Sequence, residues 1–150
     1  MQTPLINLTK PDPGNQSWDA DVRAWADKLD QVAAQILTVH LGGEAVDEAI
    51  LFDDFLFDEA VDITKVSMFA RIGPTGGAFT VDFLKNGIEQ GKTTSINIGA
   101  VSGGGAITGL AYDPNAGTPE KLGLKVKNIG ATEPGAEITI VIHYHVKPVV

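Results

Sequence analysis

The sequence predicts a mainly β protein: an antiparallel β-sandwich preceded by an extended N-terminal arm and one α-helix. From residue 49 onward, apolar residues recur at every second position, the spacing that gives a strand one buried face. Glycine- and proline-rich turn signals punctuate those rows. Ahead of them, Trp18, Val22, Trp25, Leu29, Val32, Ile36 and Val39 follow at alternating steps of four and three, which is the spacing of a helical seam. The expected organisation is an arm over 1–16, a helix and linker over 17–43, and a β head over 44–150.

The arm holds Pro4, Pro11, Pro13 and Gly14, which deny it a continuous helix or a central strand. Leu5, Ile6 and Leu8 gain nothing from order unless they dock, so the arm is expected to lie along a partner subunit; the plain alternative is an unattached terminus. Ser17 is placed to cap the helix, with Asp19 and Asp21 near its positive end. Gly42 and Gly43 end it, and Trp18 to His40 would span about 35 Å at 1.5 Å per residue. As a heptad, Val22, Leu29 and Ile36 fall at a, while Trp18, Trp25, Val32 and Val39 fall at d. β-Branched residues at d favour assemblies larger than dimers, so a homotrimer is expected, unless the helix instead lies on its own head.

Within the head, Phe79, Val81 and Phe83, then Leu122, Leu124 and Val126, and finally Ile138, Ile140, Ile142, Tyr144 and Val146 form alternating rows. Strands are predicted near 49–57, 62–72, 78–85, 88–98, 106–111, 121–129 and 136–146. Asn86-Gly87 is a strong hairpin signal, because a type I′ turn needs positive φ at both central residues. Several sandwich topologies share this alternation; a jelly-roll-like one is expected.

With 150 residues, 43% of them hydrophobic, the chain has room for one principal core. The absence of cysteine excludes disulfides, thiolate nucleophiles and cysteine-ligated metals. A formal charge of -8 argues against nucleic acid or an anionic membrane as the main partner, since both reward clustered Lys and Arg. No basic leader with a long apolar run opens the chain, so synthesis in a cytoplasm is expected, with no route of its own to the exterior.

The run DITKVSMFARIGPTGGAFTVDFLKNG and the later LGLKVKNIGATEPGAEITIVIHY resemble a β-sandwich module common in virion proteins of tailed bacteriophages. The elements that match are Ile63, Lys65-Val66, Pro74-Thr75-Gly76, Val81-Asp82, Lys85-Asn86-Gly87, Gly130 and Pro134-Gly135. The arm and helix, NLTKPDPGNQSWDADVRAWADKLD, are similar to segments that open phage fibre and head-appendage proteins. One departure is Glu120-Lys121-Leu122-Gly123, where the module usually carries Gly-Asp before its penultimate strand.

Motifs with chemical potential are sparse. Gly87, Gly91, Lys92 and Thr93 mimic the end of a phosphate loop, but the spacing is one residue short and a strand follows where a helix is needed. Gly103-Gly104-Gly105 reads as a flexible loop. His143 and His145 share a strand face at metal-compatible spacing without a local third ligand. Asp53, Asp54, Asp58, Glu59 and Asp62 lack the calcium-loop pattern. Ser67, Ser95 and Ser102 have no evident paired base, and no GxSxG occurs.

No catalytic residue, cofactor or metal is therefore assigned, and a non-enzymatic role is expected. The resemblance implies a virion structural protein, foremost a trimeric capsid decoration or cement protein. Its partners would be the major capsid protein or another virion subunit. Leu5, Ile6 and Leu8 would anchor the shell contact, and the stripe from Trp18 to Val39 would hold the trimer or dock beside it. The alternatives are a short tail fibre or adhesin, recognising a host glycan or protein through Tyr112 and the loop 101–120, and a cellular carbohydrate-binding accessory module.

Overall fold

The computed structural model describes residues 34–147, which form two antiparallel sheets. The strands are β1 (Gln35–Glu44), β2 (Ile50–Phe55), β3 (Val61–Ile72), β4 (Phe79–Lys85), β5 (Ile88–Ile96), β6 (Ser102–Ala106), β7 (Ala111–Tyr112), β8 (Leu122–Asn128) and β9 (Ala136–Val146). The first sheet runs β1-β9-β3-β6, with β7 joined to β3; the second runs β2-β8-β4-β5. Alternation dictates which side chains meet. Val66, Met68, Ile138, Ile140 and Ile142 of the first sheet join Phe79, Val81, Phe83, Leu124, Val126 and Ile96 of the second in one buried cluster. Burial of such side chains contributes on the order of 1.5–3 kcal/mol each.

The N-terminal boundary of the head requires correction. The expected helix extended to His40, but residues 35–44 form β1, paired with β9 from Gln35↔Tyr144 to Leu41↔Ile138 without a break. Leu37, Val39 and Leu41 pack against the core, whereas Ile36, Thr38 and His40 are exposed. Ile36 and Val39, read as neighbours on one helical stripe, thus point to opposite faces of a strand. A long apolar partner strand, absent from any local window, overrides the heptad spacing. Trp18, Val22, Trp25, Leu29 and Val32, with Leu5, Ile6 and Leu8, lie outside the described residues.

Two further expectations change. The glycine run Gly103–Gly105 is part of β6, paired with β3 through Met68↔Gly103 and Ser67↔Gly104. A side chain at Gly103 would come within 2.8 Å of the Ile96 backbone on β5, so glycine is what lets the margins of the two sheets close there. The strand expected at 106–111 is instead a connection leading to the short β7.

The Asn86-Gly87 turn has φ of 51° and 78°, as the sequence predicts. It docks on the segment Glu120-Lys121: the Asn86 amide donates to the Lys121 carbonyl at 3.0 Å, and the Lys121 amide donates to Asn86 Oδ1 at 2.8 Å. At the opposite end, the Thr75 amide donates to the Glu133 carbonyl at 2.9 Å, clasping Pro74-Thr75-Gly76 to the Gly130–Pro134 turn. A side chain at Gly130 would collide with the Thr75 and Glu133 backbones.

Candidate functional site

The phosphate-loop mimic has a structural occupation. Asp82 on β4 is buried, and its carboxylate accepts from the Gly91 amide at 3.2 Å and the Lys92 amide at 3.0 Å. The extra residues of β5 between Glu89 and Thr93 form a bulge there, with Gly91 at φ 64°. The amides that mimic a phosphate loop already hold an internal carboxylate.

Tyr112, expected on a recognition surface, is fully buried. Its hydroxyl donates to the Leu84 carbonyl at 2.9 Å, tying β7 of the first sheet to β4 of the second, and burial pushes its phenol up. The loop 101–120 therefore loses the aromatic residue on which its recognition role rested.

His143 and His145 do share the outer face of the first sheet, as their spacing requires. His143 lies opposite Lys65, and His145 opposite Asp62, so a cation adjoins one imidazole. Asp62 is itself bonded to Lys147 at 3.3 Å. Among the described residues, no group of three or more His, Asp or Glu side chains could hold a metal ion. Ser67 Oγ and His143 Nε2 approach to 3.4 Å, a diagonal cross-strand pair that sequence reading missed because 76 residues separate the partners. At that distance it is a weak hydrogen bond, not an activated nucleophile.

What remains is surface rather than pocket chemistry. On the outer face of the second sheet, Lys125 donates to Glu89 at 2.8 Å and also pairs with Glu48, while Lys127 donates to Glu89 at 2.8 Å. Hydrogen bonds from Lys125 and then Lys127 hold the Glu89 carboxyl down at about 2, and the same cluster pushes Lys125 up. The outer face of the first sheet has a different character. Two rows cross its middle, Thr38–Val141–Ser67–Gly104 and His40–Thr139–Phe69–Ser102. Neither row contains an acidic residue, lysine or arginine, and Phe69 is 53% exposed. Ile36, 59% exposed, flanks them on β1.

The margins differ as well. β2 pairs with β8 through two register irregularities, β5 is bulged, and β6 is five residues long. Such devices blunt a sheet edge against further pairing. β1 has regular register from Gln35 to Leu41, carries no lysine or proline, and among the described residues has β9 as its one neighbour. The end of β1 is fixed instead: the Gly43 amide donates to Glu137 Oε1 at 2.9 Å, and His40 Nε2 stands 3.3 Å from Glu137 Oε2. The Gly43 amide is the main cause that lowers the Glu137 carboxyl.

No family model matches the chain, and no curated protein matches it.

Proposed function

We propose that this chain is a non-enzymatic bacteriophage virion protein, a homotrimeric decoration or cement subunit whose β head sits on the capsid shell. Its head is read as a jelly roll: taking β7 aside, the chain crosses between the sheets at every connection except the β4–β5 hairpin, the order that builds double-sheet shells and lectin-like domains. The carrying observation is the pair of uncharged, partly apolar rows on the outer face of the first sheet and the margin of β1, which among the described residues has β9 as its one neighbour and lies directly after the N-terminal segment. An exposed face of that kind suits contact with protein better than with nucleic acid or an anionic membrane. The arm and helical stripe would reach neighbouring subunits, and three linked heads would raise the effective concentration of each remaining shell contact.

The test is binding to capsids stripped of accessory proteins. The full chain should saturate a fixed number of sites, and removal of residues 1–16 should abolish occupancy. Unchanged occupancy would refute the role given to the arm. Light scattering should give a trimer that dissociates in the Val22→Asp/Leu29→Asp variant.

A tail-fibre or adhesin role has one specific observation in its favour. A shallow cleft of about 650 Å³ is lined by Asp53, Asp54, Asn86, Thr118 and Lys121, groups able to hydrogen-bond sugar hydroxyls. Staining of host cells by the purified protein, without affinity for stripped capsids, would favour this role.

A further inference from the structure

We infer that the free edge of β1 is a docking site for residues 5–9 of a second copy of this chain, which join the first sheet as an added strand. The edge supplies the first reason. Over residues 35–41 this strand keeps an unbroken register and, among the described residues, has β9 as its one neighbour, so its other margin presents a row of backbone donors and acceptors, which is the template used in β-augmentation. The other long margins are bulged, short or irregular, so the selectivity for β1 is built into the fold.

The inner face supplies a second reason. Leu37, Val39 and Leu41 pack against the core yet remain only half-buried, because no described strand flanks them on the outer side. A further strand with an apolar side chain at alternate positions would complete their burial.

The chain contains a matching segment. Leu5-Ile6-Asn7-Leu8-Thr9 lies between Pro4 and Pro11, and prolines are compatible with the margins of a strand but not its interior. Ile6 and Leu8 share one face, able to extend the row of Val39 and Leu41, while Leu5, Asn7 and Thr9 share the other with Thr38 and His40. Lys10 is the one charged side chain in residues 1–10 of a chain with net charge -8, so attraction also favours docking on another copy.

Thirty-three residues precede the described part and join it at the start of β1 itself. The seam expected over Trp18 to Val32 would carry the arm away from its own edge and toward an associated chain. Donor segment and acceptor edge are different surfaces, so the contact is heterologous. Each copy would receive one arm and give one, and in the proposed trimer the exchange would close as a ring.

Because the chain has no cysteine, disulfide mapping has no background. Two full-length chains with different tags would be mixed under dissociating conditions and reassociated, one carrying Thr38→Cys and the other Asn7→Cys. The expected product is a mixed-tag disulfide dimer, at least tenfold more abundant than in a control pair that replaces Thr38→Cys with Thr118→Cys. In parallel, hydrogen exchange of the β1 amides that point away from β9 should be at least tenfold slower in the wild type than in Ile6→Pro/Leu8→Pro, with β9 amides unchanged. No excess over the control pair, equal exchange in the two chains, or, in one chain carrying both Thr38→Cys and Asn7→Cys, a disulfide confined within single molecules would each overturn the inference. Capsid binding is read separately: cross-linking without capsid binding sinks only the virion role, and capsid binding without cross-linking sinks only the strand exchange.

Discussion

Each sheet is built on a row of four antiparallel strands, yet one outer face is internally satisfied and the other is left open. On the second sheet, Glu89 bridges Lys125 and Lys127, Thr80 and Ser95 hydroxyls meet at 2.7 Å, and Asp82 fills the bulge in β5. On the first, neutral rows around Val141 and Phe69 run to an unblunted margin at β1. The charged face is adapted to water, since its groups already have partners; the neutral face gains most from burial against protein.

Substitutions can break this contrast in graded steps. The largest effect is expected for Asp82→Ala, which strands two amides that a buried carboxylate now satisfies. It should lower stability by about 2–4 kcal/mol in urea unfolding, while Ser67→Ala on the first sheet's outer face should change it by less than about 0.5 kcal/mol. Equal losses at the two sites would mean that the faces do not differ as described.

Tyr112→Phe removes the hydroxyl that links the sheets and leaves the Leu84 carbonyl buried without it. A loss of about 1–2 kcal/mol is expected, with near-native circular dichroism.

The ion cluster sharpens the contrast through pH. The Glu89 carboxyl is held at about 2, below its ordinary value of 4.5, so its contribution is complete above about pH 4.5 and lost as pH falls toward 2. Wild type should therefore lose more stability than Glu89→Gln across that window, and added salt should narrow the gap because the cluster is exposed. Parallel acid profiles would remove the cluster from the account.

The smallest effect is expected at Phe69. Phe69→Ser should alter the unfolding midpoint of the head by less than the equivalent of about 0.5 kcal/mol, because the ring is half in solvent. A loss in the range of a core truncation would show that the ring is already seated against its own chain.

Local chemistry explains which parts of this fold were legible in the sequence. Asn86-Gly87 needs only its own two residues to favour the turn. The alternating rows at 79–83, 122–126 and 138–146 define strands because a period of two places their apolar side chains on one face. These signals are enough for a mainly β protein with two antiparallel sheets. The candidate surface was legible only in part: His143 and His145 were placed on one face, but β1, its main feature, was read as the end of a helix. Ile36 and Val39 fit a heptad while Leu37, Val39 and Leu41 fit an alternating strand, and over so short a stretch neither pattern excludes the other.

Tertiary structure decided that ambiguity and three others. Residues 35–41 are a strand because β9, about a hundred residues away in sequence, offers an uninterrupted partner. Gly103–Gly105 belong to β6, and at Gly103 and Gly104 only residues without side chains fit against the Ile96 and Val66 backbones; glycine has no side-chain alternation by which a sequence could reveal this. The Gly91 and Lys92 amides and Tyr112 lose their apparent availability because their partners, the Asp82 carboxylate and the Leu84 carbonyl, become neighbours only after the sheets form. Sequence by itself determined local geometry and the pattern of buried faces, which depend on a few adjacent residues; pairing, margins and the fate of isolated polar groups depend on contacts that exist only in the folded chain.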